Sequence, residues 1–219
     1  MLSARVLESC PAVIFIVYTP GPGAESRGYA RWLREVDNPF FNAIPGVRHY
    51  ANWKIEQIIG GAPPEYDYFD FQGLTRAEDL EPVWFNADLD RFRREWVRLW
   101  GYTRPVPLAV HAHAYLLRPA PLHPARPPSA TPRGFARLAG GQGAVPAGGA
   151  LAWQVTEVIA KHFAATPSGP WRRPAGADNP LGLDWLTLDY HDSLADAAAG
   201  PAAPDAAVTF TARLLAAPP

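Results

Sequence analysis

An α+β fold over residues 11–118 is predicted by three observations. Ala12–Tyr18 is a continuous apolar, β-branched run, two segments carry apolar stripes at helical spacing, and the segment ending at Leu117 alternates residue by residue. Ala12–Tyr18 reads as a strand buried on both faces, broken by Pro20-Gly-Pro-Gly23. Tyr29, Trp32, Leu33 and Val36 follow the i, i+3, i+4, i+7 pattern of one helix face, with Arg27, Arg31 and Arg34 largely off it. Asn38-Pro39 is expected to end that helix, since proline disfavours helical geometry in the residue before it.

Ile44-Pro-Gly46 reads as a turn into a long strand, Val47–Ile58, and Gly60-Gly-Ala-Pro-Pro64 as the connection to a returning strand, Tyr66–Phe71. A second helix spans about 88–100, with Leu89, Phe92, Trp96, Leu99 and Trp100 on one stripe. Asp88 and Asp90 in its first turn, Arg98 in its last and Gly101 beyond it agree with the helix dipole and C-cap rules. Pro107–Leu117 is the last strand. The order β-α-β-β-α-β is the ferredoxin-like pattern, a four-stranded antiparallel sheet with both helices on one face and the other face in need of a cover.

Residues 119–133 are proline-rich and read as a linker, which leaves residues 1–118 and 134–219 as two parts. The second part echoes the first. His113–Pro119 resembles Thr211–Ala217, Tyr68–Phe71 resembles Thr187–Tyr190, and Trp53–Ile59 resembles Trp153–Ile159. A reduced second copy would pack sheet to sheet on the first and enclose a pocket within one chain.

Composition narrows the function classes. A formal net charge of -1 gives no electrostatic case for nucleic acid or an anionic membrane surface. Cys10 is the single cysteine, which excludes an intrachain disulfide and a thiolate cluster and suits a reducing cytoplasm. Ala12–Val17 is too short to span a bilayer, and Met1–Cys10 lacks the pattern of a signal peptide. Eight Trp, eight Tyr and ten Phe supply either packing mass or a stacking surface for a flat organic ligand. Gly21-Pro-Gly23 is no dinucleotide fingerprint, Gly140-Gly-Gln-Gly143 lacks the Lys and Ser/Thr of a phosphate loop, and no Gly-x-Ser-x-Gly elbow is present.

Strand alternation groups the candidate residues. His111, His113 and Tyr115 share a face of the last strand, opposite Ala112, Ala114 and Leu116. In the returning strand Phe69 and Phe71 suit the helix side, leaving Tyr66, Tyr68 and Asp70 on the open side. In the long strand, polarity favours Tyr50 and Asn52 for the pocket. A histidine near a carboxylate can do general acid–base work, so His111 or His113 is the expected acid/base and Asp70 the orienting carboxylate. Tyr68, Tyr115, Tyr50, Asn52, Trp53, Trp153 and Arg213 are the expected substrate contacts. Structural roles compete at each position: a histidine on a half-buried strand is often simply hydrogen-bonded, and Asp70 could tie down a turn. His111-x-His113 also permits two metal ligands, but nothing fixes a third such as Asp70 or His49, so no metal is expected.

The tracts Gly28-Tyr-Ala-Arg-Trp32, Asn42-Ala-Ile-Pro-Gly-Val47, Tyr66–Phe71 and the final strand resemble the dimeric α-β barrel superfamily, in particular its RedY/HapK-like group associated with prodigiosin-type and bisindole pathways. That resemblance covers roughly half the chain. It implies a sheet-against-sheet barrel, usually of two chains, with a pocket between the sheets. The added C-terminal half allows a monomeric pseudo-dimer in place of the homodimer. It also implies a cofactor-independent enzyme of secondary metabolism acting on an aromatic small molecule by acid/base chemistry, as a cyclase or isomerase. The alternatives are a cofactor-independent aromatic monooxygenase and a non-catalytic protein that binds an aromatic metabolite.

Overall fold

The computed structural model describes residues 7–61, 66–101, 112–120, 134–146, 151–159, 179, 181–200 and 205–218. The strands are β1 (Ala12–Tyr18), β2 (Val47–Gly61), β3 (Tyr68–Leu74), β4 (Ala112–Pro119), β5 (Phe135–Gly141), β6 (Leu151–Ile159), β7 (Trp185–His191) and β8 (Ala206–Ala216). The helices are α1 (Tyr29–Trp32), α2 (Asn38–Ala43), α3 (Leu80–Trp84), α4 (Ala87–Trp100) and α5 (Leu194–Ala199).

The eight strands form one closed barrel in the order β1-β3-β2-β8-β5-β7-β6-β4, antiparallel at every pairing. This corrects the expected α+β fold, a ferredoxin-like sheet packed face to face on the sheet of a second copy, and with it the dimeric α-β barrel. The described chain is mostly sheet with few helices. The physical reason lies at the strand edges. β2 outruns β3, and its length from Asn52 to Gly61 pairs with β8, while β4 pairs with β6 from Ala114 to Pro119. Closure of this kind joins the outer strands of the two halves to one another. Read round the barrel, β4-β1-β3-β2 is followed by β8-β5-β7-β6, the same order in each half of the chain.

Two apolar clusters result. The barrel interior is filled by Phe15, Trp53, Phe69, Phe71, Tyr115, Trp153, Leu186, Leu188 and Phe210 among others, as expected for an eight-stranded barrel barely wide enough for its own side chains. The second cluster lies outside the barrel, where Ile14, Ile16, Tyr18, Tyr50, Tyr68, Ala114 and Leu116 of the strands meet Tyr29, Leu33, Phe41, Trp84, Leu89 and Trp100 of the helical layer.

The facing of β3 is therefore the reverse of the expected one. Phe69 and Phe71 point into the barrel, and Tyr68 and Asp70 lie under the helices. The interior is the more apolar environment, so it takes the phenylalanines. The first helix also runs past its expected end. A π-helical turn, Leu33–Asp37, follows α1 and leads directly into α2, with Pro39 in the first turn of α2, where its missing N–H is tolerated. The second helix starts where its caps place it: Asn86 accepts hydrogen bonds from the amides of Asp88 and Leu89. Residues 107–111 of the expected last strand, 62–64 of the connection and 121–133 of the linker lie outside the described residues. None of the described helices is long and apolar enough to cross a membrane.

Candidate functional site

β3 places Asp70 at the centre of the sheet, paired with Ile16 of β1 and Asn52 of β2. Its carboxylate accepts from Tyr50 Oη at 2.8 Å, Asn52 Nδ2 at 3.0 Å and Tyr18 Oη at 3.2 Å. Asn52 Nδ2 also donates to Asp37 Oδ2 at 2.8 Å, so one amide bridges two carboxylates. Asp37 and Asp70 are 3% and 4% exposed, which makes the bridge a buried one. Burying carboxylates without hydrogen bonds is strongly unfavourable, and these donors offset that penalty.

The π turn is what brings Asp37 to this position, at its last residue, with Asn38 following. Asn38 Nδ2 donates to the Tyr50 carbonyl at 3.0 Å and to Asn52 Oδ1 at 3.1 Å. One helical turn on, Asn42 Oδ1 accepts from the Tyr50 amide at 3.0 Å, and its Nδ2 donates to Asn38 Oδ1 at 3.0 Å. The Asn38-Pro-Phe-Phe-Asn42 spacing thus holds α2 against the backbone of β2 and orients Asn52.

A small cleft of about 30 Å³ opens above this cluster, lined by Ile16, Tyr18, Asp37, Phe41, Tyr50, Asp70, Phe92, Arg93 and Trp96. Its walls are aromatic. Phe41 stacks on Tyr50 with ring centroids 4.1 Å apart, and Trp96 meets Tyr18 edge-on at 5.9 Å. Burial pushes the Tyr50 phenol well above its ordinary range, and the charges of Asp37 and Asp70 push the same way. Tyr18 is raised first by burial and then by Asp70. Both phenols therefore keep their protons at neutral pH. Arg93 stacks over the Trp84 ring at 4.3 Å and donates to the Trp84 carbonyl at 2.9 Å. Burial brings its guanidinium down to about 9, which leaves it charged at neutral pH.

The structure brings three of the sequence-derived candidates together: Asp70, Tyr50 and Asn52. It places the others elsewhere. Tyr68 shares the face of Asp70 but lies at the end of β3, donating to Glu25 Oε1 at 2.6 Å beside Lys54. His113 pairs with Val17 on the face opposite Asp70, and its ring meets Tyr66 edge-on at 5.8 Å. The sheet thus separates His113 from Asp70. Tyr115 points into the barrel, where its hydroxyl accepts from the Leu181 amide at 3.3 Å. Trp53 stacks on Phe69 inside the barrel, and Trp153 packs on Phe71 there. Arg213 sits on the outside, paired with Glu56 at 2.8 Å, so it does not take the place that Tyr115 holds in the other half. His111 lies outside the described residues.

Tyr18, Asp37, Asn38, Asn42 and Arg93 were not singled out from sequence. The available signal was the pair Asn38 and Asn42, four apart and on one helix face, once the helix is allowed to continue through Pro39. Arg93 carried a weaker signal, a charged residue within the apolar stripe of α4.

A family model decides what this region is similar to. Residues 12–97 match the family of the REDY-like protein HapK. The RedY/HapK-like resemblance thus holds over that span. No curated protein and no solved structure matches the chain. Every residue lining the cleft falls between Ile16 and Trp96, inside the matched span, whereas His113, Tyr115, Trp153 and Arg213 fall beyond it.

Proposed function

We propose that the cleft is the active site of an enzyme that moves a proton on an aromatic, largely apolar small molecule, with Asp70 as the acid/base group. The observation that carries the reading is the buried Asp70–Asn52–Asp37 bridge opening between aromatic walls. Phe41, Phe92 and Trp96 present aromatic faces and edges to the cleft, the kind of wall on which a flat ring makes favourable offset and edge-on contacts. The carboxylate of Asp70 takes a proton from an acidic C–H or N–H of the bound ring system. The resulting anion is delocalised, and the charged Arg93 on the cleft wall stabilises it. Asp70 then returns the proton to another atom of the same anion, so nothing is oxidised or consumed. Tyr18 and Tyr50 remain protonated and serve as fixed donors. Asn52 and Asn38 act as positioning residues, since Asn52 touches Asp70, Asn38 touches Asn52, and neither lines the cleft.

A second reading, binding without conversion, draws support from the three donors that already surround Asp70. One assay separates the two. Deuterium uptake from D2O by 2-indanone, a carbon acid fused to an aromatic ring, is followed by proton NMR with and without enzyme. Catalysed exchange is expected in the wild type, falling roughly 10²–10⁴-fold in Asp70→Asn, the usual contribution of a positioned acid/base. His113→Ala is the comparison variant. Exchange that survives Asp70→Asn but not His113→Ala would move the chemistry to the other face of the sheet, and saturable binding with no exchange in the wild type would favour the binding protein.

A further inference from the structure

α4 buries Leu89, Arg93 and Trp100 and turns a different stripe outward. Asp88, Arg91, Glu95 and Arg98 follow the i, i+3, i+7, i+10 spacing of one helix face, and all four are exposed. They border an open groove of about 620 Å³ that Phe40 and Phe92 also line. The two rings stack with centroids 4.0 Å apart, and both stay partly exposed. Val36 and Phe85, the exposed large apolar side chains among the described residues, flank the same region of the chain. Val36 comes one turn before Phe40, and Phe85 stands beside the N-cap Asn86. Charges arranged around stacked aromatic rings are the make-up of an interface, with its polar rim and apolar centre.

The charges on the stripe alternate acid, base, acid, base, and they do so symmetrically. Asp88 and Arg98 stand five residues either side of Arg93, and Arg91 and Glu95 stand two either side. Turned end for end, the stripe presents a base wherever it had an acid and an acid wherever it had a base. A second α4 lying antiparallel across a two-fold axis level with Arg93 therefore meets opposite charge at all four positions. A parallel copy in register would meet like charge at every one. Each base also pairs with the acid three residues before it, Arg91 with Asp88 at 2.7 Å and Arg98 with Glu95 at 2.8 Å, which holds the four side chains along one line.

We infer that this groove docks a second copy of the chain, α4 against antiparallel α4, with Asp88 facing Arg98, Arg91 facing Glu95, and Phe40 and Phe92 covered between them. Exposed ion pairs add little affinity, but they fix orientation and register, and like charges set face to face are costly. The aromatic rings supply the apolar surface withdrawn from water. α4 has 14 residues and is about 21 Å long, so the contact belongs with the small interfaces, and the dimer is weak and sensitive to salt. It is not a sheet-to-sheet dimer. The two halves of the sheet already close on each other within one chain, and the contact falls on the helical layer outside the barrel. The inference does not depend on the cleft being an active site.

Sedimentation equilibrium of the full chain tests it. At about 0.01 M ionic strength, where charges act over about 30 Å, the wild type is expected to associate to twice the chain mass of 23.9 kDa. At about 1 M salt that range shrinks to about 3 Å, and the dissociation constant is expected to rise at least about tenfold. Arg91→Glu and Glu95→Arg are the informative variants, because each sets like charge against like on both sides of the axis. Each alone is expected to stay monomeric where the wild type dimerises, with circular dichroism unchanged. Mixed in equal amounts, the two are expected to recover the dimer, since together they put opposite charges face to face again at every pair. Should either variant lose its circular dichroism, Asp88→Lys and Arg98→Glu make the same exchange at the helix ends and are read the same way. A wild type that is monomeric at about 100 µM and low salt overturns the inference and leaves the groove to a different partner. So does a dimer that survives in both single variants, or a mixture that stays monomeric while the wild type associates.

Discussion

Burying phenols around two carboxylates has a consequence for pH. Tyr18, Tyr29 and Tyr50 are all raised well above the ordinary value of 10, each by burial first and then by Asp37 or Asp70. Their folded values exceed their unfolded ones, so stability is fully present below about pH 10 and is lost as pH rises beyond it. Cys10, raised to about 12 by burial, acts in the same direction. Arg93 acts in the opposite one, because its lowered value releases a proton from the folded state first. The three phenols and the thiol outnumber it. Alkaline titration is thus expected to show cooperative unfolding above pH 10, with a block of tyrosinate absorbance appearing at the same midpoint as the loss of near-UV circular dichroism. Tyrosinate absorbance from these residues in a chain still folded would contradict their burial. At this scale Asp70, Tyr50 and Asn52 were legible from polarity and alternation. Their facing was not, because alternation says which residues share a face but not which face is the drier one, and here the barrel interior is drier than the space beneath the helices.

At the scale of single elements, α4 was legible because its signals are local: acidic residues in the first turn, Arg98 in the last, and an apolar stripe between. Its N-cap, Asn86, holds two otherwise open backbone donors. Asn86→Ala is expected to cost about 1 kcal/mol in urea denaturation and Asn86→Gly only a few tenths, the usual ranking at N-caps. Equal losses would mean that Asn86 matters for something other than capping. Phe92, Arg93 and Trp96 sit on this helix, so fraying at its start loosens one wall of the cleft. The first helical segment was illegible at its end for an equally local reason. Pro39 reads as a stop in sequence, yet the π turn before it opens the hydrogen-bond ladder, and a proline in the first turn of α2 has no bond to lose. Ending the helix at Asn38 hid both Asn42 and the orientation of Asp37, which is why half of the polar cluster went unseen.

For the molecule as a whole, the decisive contacts join strands far apart in the chain. Local patterns found seven of the eight strands, in β1 to β4 and the echoes on β6, β7 and β8, but they carry no information on which edges meet, and edge pairing turns two sheets into one barrel. The seam between β2 and β8 makes this testable. Gly61, at the end of β2, has φ +80, and a Cβ there would stand 2.0 Å from the Ala207 carbonyl oxygen. That carbonyl belongs to backbone and cannot turn aside as a side chain would. Gly28 is the control, with φ +92 and nothing within 4 Å of its would-be Cβ. Gly28→Ala therefore reports the left-handed backbone strain alone, on the order of 1 kcal/mol. Gly61→Ala adds the clash and is expected to be the more destabilising by a further 1–3 kcal/mol or so. The loss should also be located: amide exchange should quicken from Gln57 to Gly61 and from Val208 to Thr211, which pair across the seam, while the β1·β3 ladder from Ala12 to Tyr18 keeps its protection. Equal destabilisation in the two variants, or exchange that quickens evenly round the barrel, would mean that closure at β2·β8 does not set the stability of the fold.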